Sequence, residues 1–253
     1  MTYIDNTTKK INSLSAVIPA YNEEKLINKS ILLLNSVLKT EAKDYEIIVI
    51  DDGSTDNTLG LLKELSFNIP ELKIIHNESN QGLGGALRKG FQAVSKELVL
   101  YTDADMPVDY SQITRIAEIL ESSGVQMVIG FRQTRASEPA IKNLCSIIYN
   151  WFIRRLFNIR TKDINFAFKL IRKKALDRLD LVSNGSFIDA EMVIKAVYLG
   201  YDIKQIDVEY FSRKSGGSRL FKISAILYIL YEIFKFYPQI AGLKKINEKA
   251  ACC

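Results

Sequence analysis

The chain has 253 residues, of which 47% are hydrophobic and 25% are charged, and its formal net charge is +5. This length allows one sizeable core, or a core with an appendage, and the composition excludes a disordered chain. The three cysteines, one isolated and two at the very end, exclude a disulfide framework and a cysteine-based zinc site. We therefore expect a globular protein in a reducing cytoplasm.

The two ends of the chain differ in character. Residues 1–13 are polar and lack the apolar core of a signal peptide, so we treat them as a lead-in and expect no export. From Arg213 onward the chain has eight Lys and Arg residues but only two Glu residues. This excess of positive charge favours binding to anionic surfaces or substrates. The most apolar run there has nine residues before Glu232, whereas crossing a bilayer takes about 20, so no transmembrane helix is predicted.

Short β-branched runs alternate with helical patterns through the first half of the chain. We predict strands at 14–18, 45–50, 72–76 and 97–101, and helices at 25–38, 57–65 and 83–94. The strands are continuously apolar, as expected when helices cover both faces of a parallel sheet. Ligands should then gather at the carboxyl ends of these strands.

The second half is less regular. We predict strands at 126–130, 165–171 and 203–210, and helices at 140–157, 187–199 and 221–237. The last helix is predicted to be amphipathic, with Lys222, Glu232 and Lys235 on its polar side. It covers part of the main domain or lies flat at a membrane interface.

Two carboxylates one residue apart, Asp103 and Asp105, follow directly after the apolar run of the fourth predicted strand. Such a pair is costly unless a cation lies nearby. Mg²⁺ or Mn²⁺ is the natural guest, because both prefer hard oxygen ligands and bridge to phosphate oxygens of a substrate. A solvated turn is the alternative interpretation.

A second acidic turn, Asp51-Asp52-Gly53-Ser54-Thr55-Asp56, follows the second strand. Asp56 or Thr55 is suited to cap the helix beginning near Asn57. Asp51 and Asp52 have no such capping role. A carboxylate at a strand end can accept a hydrogen bond from the ring N–H of a nucleobase. A solvated turn again competes with that role.

Two further features have structural interpretations. The glycines of Gly82-Leu83-Gly84-Gly85 open a helix, but the third glycine of a dinucleotide-binding motif would fall on Leu87, so close helix packing is favoured over a phosphate cradle. His76 is the only histidine and ends a predicted strand, which excludes a histidine-based zinc site or triad.

Several motifs, taken in order and spacing, resemble glycosyltransferase family 2. They are Pro19-Ala20-Tyr21-Asn22-Glu23, Val49-Ile50-Asp51-Asp52-Gly53-Ser54-Thr55-Asp56, Asn80-Gln81-Gly82-Leu83-Gly84, Asp103-Ala104-Asp105, Gly130-Phe131-Arg132, the run from Asp163 to Leu170, and the run from Arg213 to Arg219. Within the family the chain looks most like dolichyl-phosphate mannose synthase and its bacterial polyprenyl-phosphate relatives. The resemblance implies an α/β, Rossmann-like GT-A fold with a mostly parallel sheet flanked by helices. It divides the chain into a lead-in (1–13), a glycosyltransferase domain (14–220) and an amphipathic helix with a basic tail (221–253).

The resemblance also implies roles for individual residues. The positions that match contacts to the base and ribose of a nucleotide are Pro19, Tyr21, Glu23, Ile50 and Asp52. The positions that match the metal and diphosphate site are Asp103, Ala104 and Asp105, with Asp103 and Asp105 as metal ligands. Arg132, Arg213 and Arg219 match basic residues near the diphosphate, while Lys142 and Ser146 match an Arg and a Ser that bind the acceptor phosphate.

Two departures concern specificity. Lys142 stands where relatives have an arginine, and a lysine cannot make the bidentate contact that an arginine makes. Pro107 stands where many relatives have a glutamine beside the metal. The donor, whether GDP-mannose, UDP-glucose or another, is therefore left open.

The resemblance implies a metal-dependent, inverting transferase that moves a hexose from a nucleotide diphosphate sugar to a polyprenyl phosphate at the inner face of a membrane. Asp105 with its metal, Arg132 and Arg213 would stabilise the leaving diphosphate. An acceptor at a membrane is also compatible with an integral-membrane partner protein, whereas no motif indicates nucleic-acid binding.

Two alternatives remain. A hydroxyl acceptor such as a polysaccharide would need a general base, for which Asp189 and Glu191 are candidates, although both also suit the first turn of a helix. A non-enzymatic, nucleotide-sugar-binding regulatory subunit is the other alternative. The run from Arg213 to Arg219, with its glycines and cations, is predicted to be a loop that orders when donor binds.

Overall fold

A computed structural model describes residues 11–105, 108–132, 140–209 and 223–250. Its strands in chain order are β1 Ile11–Ala20, β2 Ala42–Asp51, β3 Leu72–His76, β4 Leu98–Thr102, β5 Met127–Arg132, β6 Phe168–Arg172 and β7 Ile203–Val208. They form one sheet in the order β3-β2-β1-β4-β6-β5-β7. β6 runs antiparallel to its neighbours β4 and β5, and the other pairings are parallel.

Helices cover both faces of this sheet. In chain order they are α1 Ile27–Glu41, α2 Thr58–Ser66, α3 Gly82–Ala93, α4 Gln112–Ser123, α5 Ala140–Phe157, α6 Lys173–Leu176, α7 Ile188–Tyr198 and α8 Ile223–Ala250. Helices α1, α2 and α4 supply buried residues to one core, while α3, α5, α6, α7 and α8 supply the other. The fold class predicted from the sequence is confirmed in its mostly parallel sheet and flanking helices.

The two cores explain why the strands read as continuous apolar runs. On β1, Ala16 and Ile18 pack into one core, and Val17, which lies between them, packs into the other. Successive side chains of a strand point to opposite faces, so a sheet covered on both faces buries every position.

The helix and strand bounds follow the predictions closely in places and differ in others. β3 and α5 begin and end at the predicted residues. α4 is absent from the predicted elements, although Ile113, Ile116 and Leu120 are buried at helical spacing and Gly124 ends the helix in the left-handed region with φ 67°.

α8 differs most from expectation. The predicted helix ends at Tyr237, yet α8 continues through Pro238. A proline inside a helix removes one backbone hydrogen bond, but Ile240, two residues further on, is fully buried in the core, and this packing offsets the loss. The predicted polar position of Glu232 is wrong, because Glu232 is buried. Among the described helices, none combines the length and apolar character that spanning a bilayer requires.

The order of the strands positions the site. The chain runs outward from β1 through β2 to β3, then returns to β4 on the opposite side of β1. In open α/β sheets this reversal opens a crevice at the carboxyl ends of the two central strands, where ligands bind. The segments that follow β1 and β4 therefore face each other across the expected binding crevice.

Candidate active site at the carboxyl edge of the sheet

The loops after β1 and β2 are joined by hydrogen bonds. The Asn22 backbone N–H donates to Ser54 Oγ at 2.9 Å, and the Glu23 N–H donates to Thr58 Oγ1 at 2.8 Å. In the adjoining strands Pro19 pairs in register with Ile50. Most residues expected to contact the nucleotide thus lie on two neighbouring strand ends and the loops that leave them.

Asp52 fixes the start of α3. Its Oδ1 accepts hydrogen bonds from Asn77 Nδ2 and from the Gln81 backbone N–H, both at 2.8 Å, and its Oδ2 accepts one from the Gly82 N–H at 3.0 Å. An ionised carboxylate has about four acceptor positions, so these three bonds leave room for a further donor. The nucleotide-binding role of Asp52 stays a prediction, and its structural role is now evident.

The other acidic residues of this turn have local partners. Asp51 Oδ2 lies 2.7 Å from Nδ1 of His76, so the single histidine has the structural role expected of it. Asp56 Oδ1 accepts the backbone N–H of Thr58, the first residue of α2, at 3.0 Å. Burial tends to raise the pKa of the Asp56 carboxyl, but the hydrogen bonds from Thr58 outweigh this effect and lower it.

The glycine-rich start of α3 is a packing surface, as expected. The backbone N–H groups of Gly84 and Gly85 donate to the Asn184 carbonyl at 2.9 and 3.2 Å. A Cβ on Gly84 would lie 2.3 Å from the Ser183 carbonyl oxygen, so only glycine allows this approach. These N–H groups donate to another part of the protein, as expected for close packing, whereas a phosphate cradle would leave them available to bind phosphate.

Asp103 and Asp105 leave β4 at the strand-order reversal and are partly buried. Burial, together with the negative charges of Asp105 and Asp189, raises the pKa of the Asp103 carboxyl well above its usual range, and Glu23 adds to this effect. The charges of three other carboxylates therefore act on Asp103, the Lys169 ammonium opposes them only in part, and a bound cation would relieve the remaining repulsion.

The donor set fits a metal ion that arrives with phosphate. Within the part of the chain that the structure describes, no group of three His, Cys, Asp or Glu side chains could hold a metal on its own. Mg²⁺ commonly binds through one or two carboxylates, with substrate phosphates and water completing its coordination. Asp103 and Asp105 suit that arrangement.

A buried lysine faces this acidic group from β6. Lys169 is fully buried; its Nζ donates to Asp189 Oδ1 and, at 2.8 Å, to the Phe166 carbonyl oxygen. It also lies 5.2 Å from the centre of the Tyr101 ring. Because β6 inserts antiparallel between β4 and β5, Lys169 lies directly opposite Tyr101, two residues before Asp103.

Arg132, at the end of β5, is held in a fixed orientation. Its Nε and one terminal nitrogen donate to the two oxygens of Asp163 at 2.7 and 3.1 Å, a bidentate arrangement. The guanidinium carbon lies 5.3 Å from the centre of the Phe166 ring. Asp163 and the ring thus orient Arg132, whose predicted role at the diphosphate stays a prediction.

The remaining predicted site residues divide into two groups. Ser146 lies on α5, where its backbone carbonyl accepts a hydrogen bond from Asn150 Nδ2 at 2.8 Å. Lys142 lies on the same helix, and its side chain is outside the described part of the structure. Arg213 and Arg219, with the predicted donor-ordered loop, lie outside the described residues.

The two candidate bases have different surroundings. Glu191 accepts the backbone N–H groups of Val182 and Ser183 at 2.9 and 2.8 Å and pairs with Lys195 at 2.7 Å. Its oxygens hold the segment before α7, so it is a structural residue. Asp189 instead is paired with Lys169 and lies close enough to Asp103 for its charge to raise the pKa of that carboxyl.

Two charged residues of this region are not identified from sequence as parts of the site. Lys169 stands alone in an apolar strand, and Glu232 interrupts an apolar helical run. A charge inside an apolar run is a sequence signal for a buried, paired group, and this signal could have found both.

Comparisons with known proteins identify a matching family and several relatives of this chain. The model of the family described as Glycosyl transferase family 2 matches residues 15–180. Glycosyltransferase AglD of Haloferax volcanii is 25% identical over 243 residues, covering 93% of this chain and 39% of AglD. The dolichyl-phosphate beta-glucosyltransferase of Saccharomyces cerevisiae is 30% identical over 222 residues, covering 78% of this chain and 66% of that protein.

Among solved structures, this fold resembles glucosyl-3-phosphoglycerate synthase from Mycobacterium tuberculosis in complex with Mn²⁺, UDP and phosphoglyceric acid. The TM-score is 0.68 at 18% identity, and the match covers 91% of this chain and 78% of that one. At this identity the likeness concerns the fold. The chain spans well under half the length of AglD, 39%, so the activity of that whole protein does not transfer directly.

Proposed function

This chain belongs to glycosyl transferase family 2, and we propose that it transfers a hexose from a nucleotide diphosphate sugar to a polyprenyl phosphate, with inversion at the anomeric carbon. The observation that carries the proposal is the cluster of carboxylates around Asp103 at the strand-order reversal. Asp103 and Asp105 leave β4 at this point, where such folds bind ligands, and a cation there would relieve the repulsion that Asp105, Asp189 and Glu23 exert on Asp103.

The donor half of the proposal rests on the first two loops and on Asp103 and Asp105. The loops after β1 and β2 would hold the base and ribose, with Asp52 offering its remaining acceptor position. Asp103 and Asp105 would hold Mg²⁺ or Mn²⁺. The M. tuberculosis neighbour has Mn²⁺ and UDP in its complex, which supports this assignment. When bound, the metal would neutralise the negative charge of the diphosphate leaving group.

For the transfer itself, the protein needs mainly to orient the two substrates and to supply positive charge at the leaving diphosphate. The bond between the anomeric carbon and the diphosphate oxygen breaks, the nucleoside diphosphate leaves, and an acceptor oxygen forms the new bond from the opposite face. Arg132, fixed by Asp163, and Arg213 would stabilise the leaving diphosphate. A phosphate acceptor is already ionised, so no proton has to be removed from it.

The acceptor assignment is supported by relatives and by the state of the candidate bases. The S. cerevisiae relative is a dolichyl-phosphate glucosyltransferase. The Glu191 carboxylate accepts hydrogen bonds from the backbone before α7, and the Asp189 carboxylate forms an ion pair with Lys169. This arrangement favours an acceptor that needs positioning over one that needs deprotonation. Lys142 and Ser146 on α5 would provide that positioning.

Peripheral association with the inner face of a membrane completes the proposal. Helices α5 and α8 both expose large apolar side chains, most of them spaced three or four residues apart. The exposed side chains are Ile141, Leu144, Ile147, Ile148 and Trp151 on α5, and Leu227, Tyr228, Tyr231, Phe234 and Tyr237 on α8. Phe157 of α5 and Tyr237 of α8 contact each other, with ring centres 5.7 Å apart. Aromatic and aliphatic groups of this kind suit insertion at a bilayer surface, where a polyprenyl phosphate is reached.

A transfer assay tests this function. Radiolabelled UDP-glucose and GDP-mannose would be incubated in turn with the protein, Mn²⁺ and a short polyprenyl phosphate. We expect label from one donor to enter the organic phase. In a parallel reaction that contains an oligosaccharide in place of the lipid, label that passes only to this hydroxyl acceptor would support the alternative acceptor. Donor binding without any transfer or hydrolysis would support the regulatory alternative.

A further inference from the structure

Glu232 of α8 is a buried carboxylate that holds one loop of the main domain. It is 2% exposed. Its Oε1 accepts hydrogen bonds from Ser183 Oγ at 2.9 Å and from the backbone N–H groups of Asn184 and Gly185 at 2.9 and 3.0 Å. One oxygen of the terminal helix thus fixes three consecutive residues, 183–185, which we call the 183–185 loop.

The 183–185 loop in turn holds the start of α3. The Asn184 carbonyl accepts the N–H groups of Gly84 and Gly85, and the Asn184 side chain accepts from Arg88. Immediately before these glycines, the N–H groups of Gln81 and Gly82 donate to Asp52. Hydrogen bonds, joined by the short backbone segment from Gly82 to Gly84, therefore link α8 to Asp52, the carboxylate proposed to bind the nucleotide.

The same loop also borders the start of α7. Ser183 donates its N–H to Glu191, which lies in the first turn of α7 together with Asp189. Asp189 is the residue paired with Lys169 and lies close enough to Asp103 to influence it. The start of α3, which Asp52 holds, and the start of α7, which carries Asp189, therefore both adjoin the 183–185 loop.

Attachment of α8 does not by itself require a carboxylate at this position. Ile233 and Ile240 already bury their side chains in the core from the same helix. Burying a charge is costly, and well-packed apolar groups commonly stabilise as much or more. Within the described residues Glu232 Oε2 has no hydrogen-bond partner, so the charge is only partly compensated. What Glu232 adds is a fixed orientation of the loop.

We propose that Glu232 is a positioning residue for nucleotide binding, acting through the 183–185 loop and the start of α3 on Asp52. The inference rests on the proposed function, since it concerns the affinity of the same nucleotide site. It places control of donor binding in the terminal helix, outside the loops that contact the nucleotide.

Calorimetric titration of the full chain with UDP and with GDP, in the presence of Mn²⁺, tests this role. Glu232→Ala removes the acceptor and should weaken nucleotide binding about tenfold, within the range by which residues remote from a ligand alter its affinity. Glu232→Gln keeps an acceptor oxygen and should stay within about twofold of wild type. Ile240→Ala is the matched control: it loosens the same helix and lowers Tm, and should leave the nucleotide Kd unchanged.

Two results would overturn the inference. One is a Glu232→Ala protein with a lower Tm and an unchanged nucleotide Kd, which would make the residue a structural anchor only. The other is an equal loss of affinity in Ile240→Ala at equal loss of Tm, which would assign the effect to the helix as a whole. A wild-type protein that binds no nucleoside diphosphate would instead contradict the proposed function and, with it, this inference.

Discussion

Lys169 and Asp189 form an ion pair in the interior of the protein, between strand β6 and the first turn of α7. The Lys169 side chain is fully buried and that of Asp189 is 5% exposed. Because the charge of Asp189 also acts on Asp103, the pair connects the buried sheet to the acidic group proposed to bind metal. A buried pair of this kind is weak evidence for net stability, but breaking it leaves an uncompensated charge.

Lys169→Met should therefore destabilise the protein by about 3–5 kcal/mol. Urea unfolding followed by circular dichroism measures the change. Lys173→Met is the control, because Lys173 pairs with Asp177 at the surface and its removal should cost less than about 1 kcal/mol. Equal stability of the two variants would show that the interior pair has no special importance.

Glu46, on β2, takes part in an acid-sensitive interaction. Burial alone would raise the pKa of its carboxyl, but hydrogen bonds from Lys73 and Ser15 outweigh that effect and lower the pKa from 4.5 to about 2. A lowered folded-state pKa means that this carboxyl stabilises the fold above pH 4.5 and loses that contribution as the pH falls toward about 2.

Glu46→Gln should therefore flatten the fall in stability on the acid side. Urea midpoints measured across this pH range would show a smaller difference between variant and wild type at low pH than at neutral pH. Glu97→Gln is a suitable control, since Glu97 is an exposed acid of the same region. A Glu46→Gln protein whose midpoint fell as steeply as that of wild type would contradict the assignment.

Gly84 is needed because α3 packs tightly on the 183–185 loop. Gly84→Ala would place a Cβ 2.3 Å from the Ser183 carbonyl oxygen, so the backbone must move. We expect a loss of about 1–3 kcal/mol in thermal or urea unfolding. At Gly242, in α8, a Cβ would meet no atom of the described residues within 4 Å, so Gly242→Ala should be neutral or stabilising by up to about 1 kcal/mol. If both variants unfolded alike, the close contact would have no energetic weight.

The parts of this protein that could be predicted from sequence are those set by local pattern. The βαβ alternation predicted the parallel strands, and the position of Asp103 and Asp105 after an apolar run predicted their place at the carboxyl edge. The same holds for Gly84, whose helix-opening position indicated packing. Each of these follows from neighbours within a few residues.

The parts that could not be predicted depend on contacts between distant residues. The insertion of β6 between β4 and β5 brings Lys169 opposite Tyr101, a separation of 68 positions that no periodicity encodes. The pattern of α8 taken alone places Glu232 on a polar face. Its burial follows from the 183–185 loop, whose backbone donors lie 47 to 48 residues away.

The exposed apolar side chains of α5 and α8 predict a membrane-binding surface. Phe234 is 73% exposed, and Phe234→Glu should weaken sedimentation with anionic liposomes about tenfold, because the lost insertion of a phenyl ring exceeds about 1 kcal/mol. Trp151→Glu should act in the same direction. Phe67→Glu is the control, since Phe67 is 87% exposed at the end of α2 and belongs to neither helix. Equal effects at Phe67 and Phe234 would mean that liposome binding is not confined to this surface.

The most direct test of the account is metal-dependent donor binding by Asp105→Asn. Wild-type protein is titrated with UDP-glucose and GDP-mannose, with Mn²⁺ and with EDTA, beside Asp105→Asn and the nearby exposed control Asp109→Asn. We predict that one donor binds wild type and the control only when Mn²⁺ is present, and that Asp105→Asn stays folded but loses this Mn²⁺-dependent binding. Full Mn²⁺-dependent binding by Asp105→Asn, or donor binding by wild type that is indifferent to EDTA, would contradict the central claim.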